Sequence, residues 1–296
     1  MQRKCRMEWF LSTEDFYKLA FNEGYAAGRV AFALIIFAML SEVIAYRIQK
    51  KAYPWEEAGV SLALMSGHLI AGALVHGIVF GIIAFGVYHY RLFTLTVDMN
   101  HWYMGVLLFV LCDFAYYVMH RASHSVNLLW GSHAVHHSAQ RMIVLASIRL
   151  TWTPLISGVF LFYLPIVWLG FTPQWVYGMV SASLAYQFCV HTELVPRLGW
   201  LEYIIDTPSN HRVHHGINDI YINKNFGGIL MIWDHIFGTY QAELTDNKAQ
   251  FGLAPALPRP CNVFEIAFGQ YRKIAKGFIN APSWKSRLNV FFGPPQ

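Results

Sequence analysis

With 296 residues, the chain has room for one large domain or two small ones. It is 55% hydrophobic, 16% aromatic and only 13% charged, and its mean hydropathy is +0.35. A soluble globular domain carries about 25% charged residues, so the composition argues against one and for an integral membrane protein. The net charge of +5 is dispersed, with no basic run interleaved with aromatics. That excludes nucleic acid as a partner and leaves an anionic membrane surface as the counterpart.

In chain order, residues 1–29 form an N-terminal segment that starts basic (MQRKCR) but lacks the apolar core of a signal peptide. The first hydrophobic run is therefore expected to stay in the mature protein. Residues 30–119 are expected to hold the N-terminal membrane helices. Val30–Tyr46 is about the minimum length for a crossing. Leu62–Tyr88 is longer and is spaced by Gly67, Gly72, Gly77, Gly81 and Gly86, small residues that permit close helix packing in lipid. Tyr103–Met119 follows, with Asp113 embedded in it. Residues 120–240 hold most of the histidines and include a predicted transmembrane hairpin over 152–190. Its limbs are Trp152–Leu169 and Trp175–Val190, joined by GFTPQ. Residues 241–296 contain no spanning run and are read as an exposed or interfacial tail. The expected fold is an all-α integral membrane protein with four to five transmembrane helices. Cys5, Cys112, Cys189 and Cys261 form no C-x-x-C pair, which excludes a disulfide framework or a zinc ribbon.

Histidine is the anomaly, at 14 residues. HRASH carries His120 and His124, SHAVHH carries His133, His136 and His137, and HRVHH carries His211, His214 and His215; His191 ends the last predicted span. Residues three and four apart share a helix face, so each box can present its rings together. The hairpin returns the chain to the side it left, which places every box on one membrane face. Arg47, Lys50, Lys51, Arg121, Arg141 and Arg149 lie on that side, against Arg91 alone in the opposite loop 89–102. The positive-inside rule makes the histidine side cytoplasmic, although Arg3, Lys4 and Arg6 then fall on the other side.

Eight or nine nitrogen donors exceed the roughly four to six of a single ion and suit two; imidazole fits iron, zinc, copper or nickel. Oxygen-activating iron best suits a nitrogen-rich site facing apolar substrates. Asp113 lies seven residues before His120. Intramembrane carboxylates tend to be functional, so it is expected to hold a ring N–H of His120 or His124. His68, His76, His89, His101 and His235 are read as ordinary hydrogen-bonding residues. A metal transporter or a haem-binding membrane protein is the rival class. Transporter sites lie near the bilayer midplane in broken helices, and haem needs only paired axial ligands.

The series DFAYYVMHRASH, LWGSHAVHHS, HTE, TPSNHRVHHGIN and KNFGGILMIWDHIFGTY resembles the fatty acid hydroxylase (sterol desaturase) superfamily of membrane di-iron oxygenases. The likeness runs from about residue 30 to the end, and HTE, TPS-x-HRVHHG and WD-x-IFGT are nearest its alkylglycerol branch. The resemblance implies membrane helices under a cytosolic helical cap that holds two iron ions. By carry-over the ligands are His120, His124, His133, His136, His137, His211, His214 and His215, with His191 completing the set. Asn218 and Asp234 fall in family-like phrases without being ligands. The implied reaction is O₂-dependent hydroxylation of a membrane lipid. At an ether-adjacent carbon the product is a hemiacetal, which falls apart to an aldehyde and an alcohol. A sterol or ornithine-type lipid, hydroxylated or desaturated, is the alternative substrate. The implied electron donor is external, of pterin or cytochrome/ferredoxin type, and the implied membrane is a bacterial inner membrane or the endoplasmic reticulum. The chain departs from the branch at Ser125, where a glutamate is expected, and at Ala139 and Gln140, where acidic residues are.

Overall fold

The structure is a computed structural model, and it describes residues 24–76, 79, 84–97 and 100–295. The basic segment over 1–23 lies outside the described residues. Among those described no strand forms, and isolated bridges join Leu95 to Phe171 and Ile205 to Leu230.

Helix α1 spans Gly24–Ile48 and α2 spans Trp55–His76. On α1, Phe37, Leu40, Ile44 and Ile48 are exposed at helical spacing, while Glu42 and Tyr46 are buried. The Glu42 carboxylate accepts from Val144 N (2.9 Å), Thr192 Oγ1 (2.8 Å) and Tyr53 Oη (3.3 Å). A buried carboxylate is tolerable only with such partners, and these tie α1 to two distant segments. On α2, Gly67 lets a neighbour in. The Trp152 indole lies where an added Cβ would sit, 2.1 Å from Cε2, and its Nε1 donates to Leu64 O at 2.8 Å. The run read as Leu62–Tyr88 ends as a helix at His76 and resumes in the short helix Phe85–His89; Gly77 and Gly81 lie outside the described residues.

Helix α3 (Trp102–Ser125) is, among the described residues, the one helix long and apolar enough to cross a membrane. Only 33% of its apolar window is buried, unlike the core helix of a soluble protein. Tyr103, Val106, Leu107, Phe114 and Val118 face outward. Leu108 and Cys112 pack inward on Ile166, Val167, Phe171 and Val176.

The predicted limb Trp152–Leu169 is not a continuous helix. Pro154 opens a single turn, Pro154–Ser157; Gly158 then takes φ 59°, and a 3₁₀ turn leads into Leu164–Leu169 with Pro165 in its first turn. Proline has no N–H to continue a ladder, and the left-handed backbone favours glycine. At about 1.5 Å per residue, Val159–Leu169 falls well short of the ~30 Å hydrocarbon core. The second limb forms as α5, Pro173–Cys189. Gly170 (φ 131°) makes the turn between them, and an added Cβ there would lie 2.3 Å from Phe93 O.

The segment over 241–296 is not a free tail. Helices α7 (Val263–Asn280) and α8 (Trp284–Phe292) fold back onto the region after α3, where α4 spans Asn127–His137. Ile266 and Ala267 pack with Val60, Leu64 and Val135, and Asn127 Nδ2 donates to Val290 O at 2.8 Å. Arg149, counted among the loop charges of one membrane side, is 1% exposed. Its guanidinium reaches Ser61 Oγ, Ser138 Oγ and the Glu57 carboxylate, so it braces α2 against the chain after α4 and is no surface charge.

Candidate metal centre

One extended residue, Val126 (φ −113°, ψ 116°), separates α3 from α4. That single break turns the chain so that His120 and His124, at the end of α3, meet His133 and His137 on α4. The third box lies on α6, Pro208–His214. Thr207 caps it by accepting from Asn210 N, and Pro208 sits in the first turn, where no N–H is needed. This short polar helix is buried throughout, and most of its polar side chains find partners; Asn210 Oδ1 does not. Arg212 pairs with Glu243 (2.9 and 2.6 Å) and donates to Thr192 O and Val195 O, while Ser209 and Asn210 bond to Glu202.

All nine predicted histidines come together, in two groups. His120, His124, His133, His137 and His214 form one; His136, His191, His211 and His215 form the other. Within each group the ligand atoms lie within 4.8 Å of one another. Each H-x-x-H-H triplet is divided. On α4 the outer pair, His133 and His137, joins the first group and His136 the second; on α6 and its C-cap His215 the outer pair, His211 and His215, joins the second and His214 the first.

Proton counting shows that hydrogen bonds alone do not account for this packing. In the first group the Nε2 atoms run in series, His120 to His133 (3.0 Å), His133 to His137 (3.1 Å) and His137 to His214 (3.1 Å). At the ends, His120 Nδ1 meets Phe226 O and His214 Nδ1 meets Lys224 O. A carbonyl only accepts, so each end ring carries its proton on Nδ1 and presents a bare Nε2. Satisfying both ends requires protons on the two middle Nε2 atoms, which then face each other. No arrangement of neutral rings satisfies all three contacts, whereas a cation receiving the lone pairs does. His124 Nε2 makes the same point, being buried without a hydrogen-bond partner.

Burial, reinforced by the neighbouring imidazoles, holds His133, His136, His137, His211 and His215 well below the ordinary histidine range. Burial brings His191 and His214 down to about 4. The rings are therefore neutral at pH 7, the form that binds metals. The residues fit a pair of metal ions held by nitrogen donors.

The groups orienting the rings were mostly not foreseen. His191 Nδ1 donates to Gln187 O at 2.7 Å, and His120 and His214 also use backbone carbonyls. A carboxylate serves His211 alone among the described contacts, with Asp206 Oδ2 at 3.0 Å from Nδ1. Burial raises Asp206 and lowers His211, so the contact is a hydrogen bond from a neutral ring and not an ion pair. The available signal was an acidic residue directly before the Thr-Pro helix start. Asp113, expected in that role, is elsewhere. Its carboxylate accepts from Ile229 N (3.0 Å), Leu230 N (3.3 Å) and Trp233 Nε1 (2.8 Å). No ring nitrogen of His120 or His124 reaches it; the acid instead pins the loop after Phe226. Asp234 holds the start of that loop through Phe226 N and Gly227 N, and Asn218 bonds to Asn247.

The other histidines stay outside the cluster. His68 Nδ1 bonds to Thr151 O at 2.7 Å, His89 lies against Tyr90 and His101 against Tyr103, and His235 stacks near Tyr203 and Tyr240. The His76 side chain lies outside the described residues.

Residues 105–239 match the family model described as fatty acid hydroxylase. The chain carries a fatty acid hydroxylase domain. The matched stretch of this domain includes all nine histidines, Asp113, Asp206 and Asp234, and stops before α7 and α8. The chain is 38% identical to human alkylglycerol monooxygenase over 212 residues, 70% of this chain and 45% of that protein. To the Danio rerio alkylglycerol monooxygenase it is 39% identical over 193 residues, 64% and 41%. To the ornithine lipid hydroxylase of Rhizobium tropici it is 31% identical over 175 residues, 59% and 47%. The chain thus spans less than half the length of these curated relatives. No solved structure matches it significantly.

Proposed function

We propose that this hydroxylase domain belongs to an O₂-dependent membrane di-iron monooxygenase that hydroxylates a C–H bond of a lipid. The observation that carries the reading is the division of nine buried histidines into groups of five and four. When bound, two iron ions would supply the activation of O₂, with electrons from an external donor of pterin or cytochrome/ferredoxin type. His120, His124, His133, His137 and His214 would hold one ion, and His136, His191, His211 and His215 the other. The carbonyls of Phe226, Gln187 and Lys224, together with Asp206, fix the rings with their Nε2 lone pairs inward. The buried α6 and the loop braced by Asp234 cover part of the ring cluster.

The alkylglycerol monooxygenases among the relatives favour an ether-adjacent carbon as the target, and the Rhizobium tropici relative supports an ornithine-type lipid as the second reading. The outward apolar stripe of α3 supports insertion in a membrane, and the loop charges Arg47, Lys50, Lys51 and Arg121 favour a cytoplasmic face for the histidines. Metal analysis of anaerobically purified protein, with comparison of membrane lipids in cells with and without the gene, tests the proposal. About two irons per chain and one missing oxygenated lipid class are expected. Full O₂-dependent turnover by His136→Ala, or a haem absorption band, would overturn it.

A further inference from the structure

Helices α7 and α8 lie outside the matched hydroxylase stretch, yet they grip the point where the histidine boxes are brought together. Asn127 directly follows the break at Val126 that turns α3 into α4. Its Oδ1 accepts from Gln270 Nε2 on α7 at 2.9 Å. Its Nδ2 donates to Val290 O on α8 (2.8 Å) and its backbone N–H to Gly293 O (2.9 Å), just past that helix. The Tyr271 hydroxyl meets Ser132 Oγ at 2.8 Å, with the ring where a Cβ on Gly131 would stand. The pair is thus fixed at the histidine end of α3, the level at which an apolar crossing helix leaves the bilayer.

What the two helices turn outward suits that level. On α7, Ile266, Ala267 and Ile274 are buried, while Phe264, Phe268 and Ile279 are exposed. At about 100° per residue the exposed three fall within ~60° of one another, and Arg272, Lys276 and Lys273 follow in turn along one edge. On α8, Trp284, Leu288 and Phe292 are exposed one turn apart. Over 263–292 the bases are Arg272, Lys273, Lys276, Lys285 and Arg287, against the single acid Glu265, which Arg272 meets at 2.7 Å. Among the described residues no acid pairs with the other four. The Arg287 guanidinium lies over the Trp284 and Phe278 rings at 5.1 and 5.4 Å, and its Nε is buried without a hydrogen-bond partner. Helices that lie in a membrane interface combine aromatic and aliphatic side chains for the acyl boundary with Lys and Arg for anionic headgroups. Lysine is depleted at protein–protein interfaces, so this surface fits lipid and not a second copy of the chain.

We infer that α7 and α8 form an interfacial platform that binds the anionic headgroups of the membrane surface and anchors the α3–α4 break there. Each Lys or Arg near such a surface adds roughly fivefold to the attraction. The placement rests on the membrane reading of α3 and is independent of the chemistry at the histidines.

The test uses full-length, metal-loaded protein in nanodiscs of phosphatidylcholine, alone or mixed with phosphatidylglycerol. Hydrogen exchange read by mass spectrometry follows α3 and α8 together. Exchange of Trp284–Phe292 is expected to be about tenfold slower in the anionic discs, and high salt is expected to remove the difference. Lys273 and Lys285 are exposed, so Lys273→Glu with Lys285→Glu is expected to abolish it while α3 protection and metal content stay unchanged. Lys276→Gln with Lys285→Gln, a milder pair, is expected to reduce it, so misfolding of the first variant leaves the inference open to the second. Equal exchange in the two discs, or a difference that survives high salt and both pairs of substitutions, would overturn it. Protection of α3 with none at α8 would sink this inference alone. Protein that stays soluble without lipid, yet docks through α8 on anionic vesicles, would retire α3 as a span and keep the platform.

Discussion

His211 Nδ1 lies 3.0 Å from Asp206 Oδ2, and both residues are almost fully buried. The ring contacts of His120, His191 and His214 end instead on backbone carbonyls. The four-histidine group is therefore the one with a carboxyl group behind a ring. A carboxylate there raises the basicity of the coordinating nitrogen, and losing such a partner costs about 10–100-fold in metal affinity. Asp206→Asn is expected to weaken one of two metal-binding steps on that scale and leave the other unchanged. Stepwise metal titration followed calorimetrically checks this, and equal weakening of both steps would contradict it.

The divided triplets make a prediction that box membership alone does not. His136→Ala is expected to lose the same ion as His211→Ala and His215→Ala, and to retain the ion lost in His133→Ala and His137→Ala. Each variant should keep about one of two ions, a count set by the number of ligand groups. Elemental analysis gives the count, and iron Mössbauer spectra tell which ion remains. Loss patterns that follow the boxes would show the grouping to be wrong.

Acid is expected to destabilise the metal-free fold. An unfolded histidine titrates near ~6.5, while burial holds His191 and His214 at about 4. Between these values the unfolded chain binds more protons, so stability rises with pH across the window and is lost on acidification. Above ~7 the rings are neutral in both states and contribute no slope. Each group adds up to ~1.4 kcal/mol per pH unit inside the window. Denaturant midpoints at pH 7.5, 6 and 5 measure this, and a midpoint independent of pH below 6.5 would refute it. Loaded protein should release metal over the same range, because protons compete for the same lone pairs.

Asp113 is expected to behave as a structural acid. Asp113→Ala leaves the N–H groups of Ile229 and Leu230 and the Trp233 indole without their acceptor. Each unsatisfied donor costs roughly 1–3 kcal/mol, so the unfolding temperature should fall sharply, with Asp113→Asn in between. Loss of metal at undiminished stability would instead return Asp113 to the metal site.

Composition, the three boxes and His191 carried much of this protein in one dimension. Apolar excess pointed to a membrane, and too many donors for one ion pointed to two groups. Those properties depend on residue type and short-range helical spacing, which a linear chain displays. The division of each triplet sits at the boundary. On a helix advancing about 100° per residue, positions i and i+4 lie ~40° apart and i+3 lies ~60° to the other side, so the outer pair naturally serves one ion and the third ring another.

Which group each pair joins was settled by tertiary structure, because that depends on how α3, α4 and α6 cross and not on the spacing within any of them. The same holds for the brace at Asp206, which lies outside the helical repeat, and for the loop that claims Asp113, more than a hundred residues away in sequence. The limb over 152–169 reads as a span by hydropathy, which sums apolar side chains. Pro154, Gly158 and Pro165 break it through backbone geometry, to which that sum is blind. Convergence of the histidines therefore did not need the predicted hairpin. It comes from the one-residue break at Val126 and from burial of α6, where Arg212 and Ser209 found partners that only the folded chain supplies.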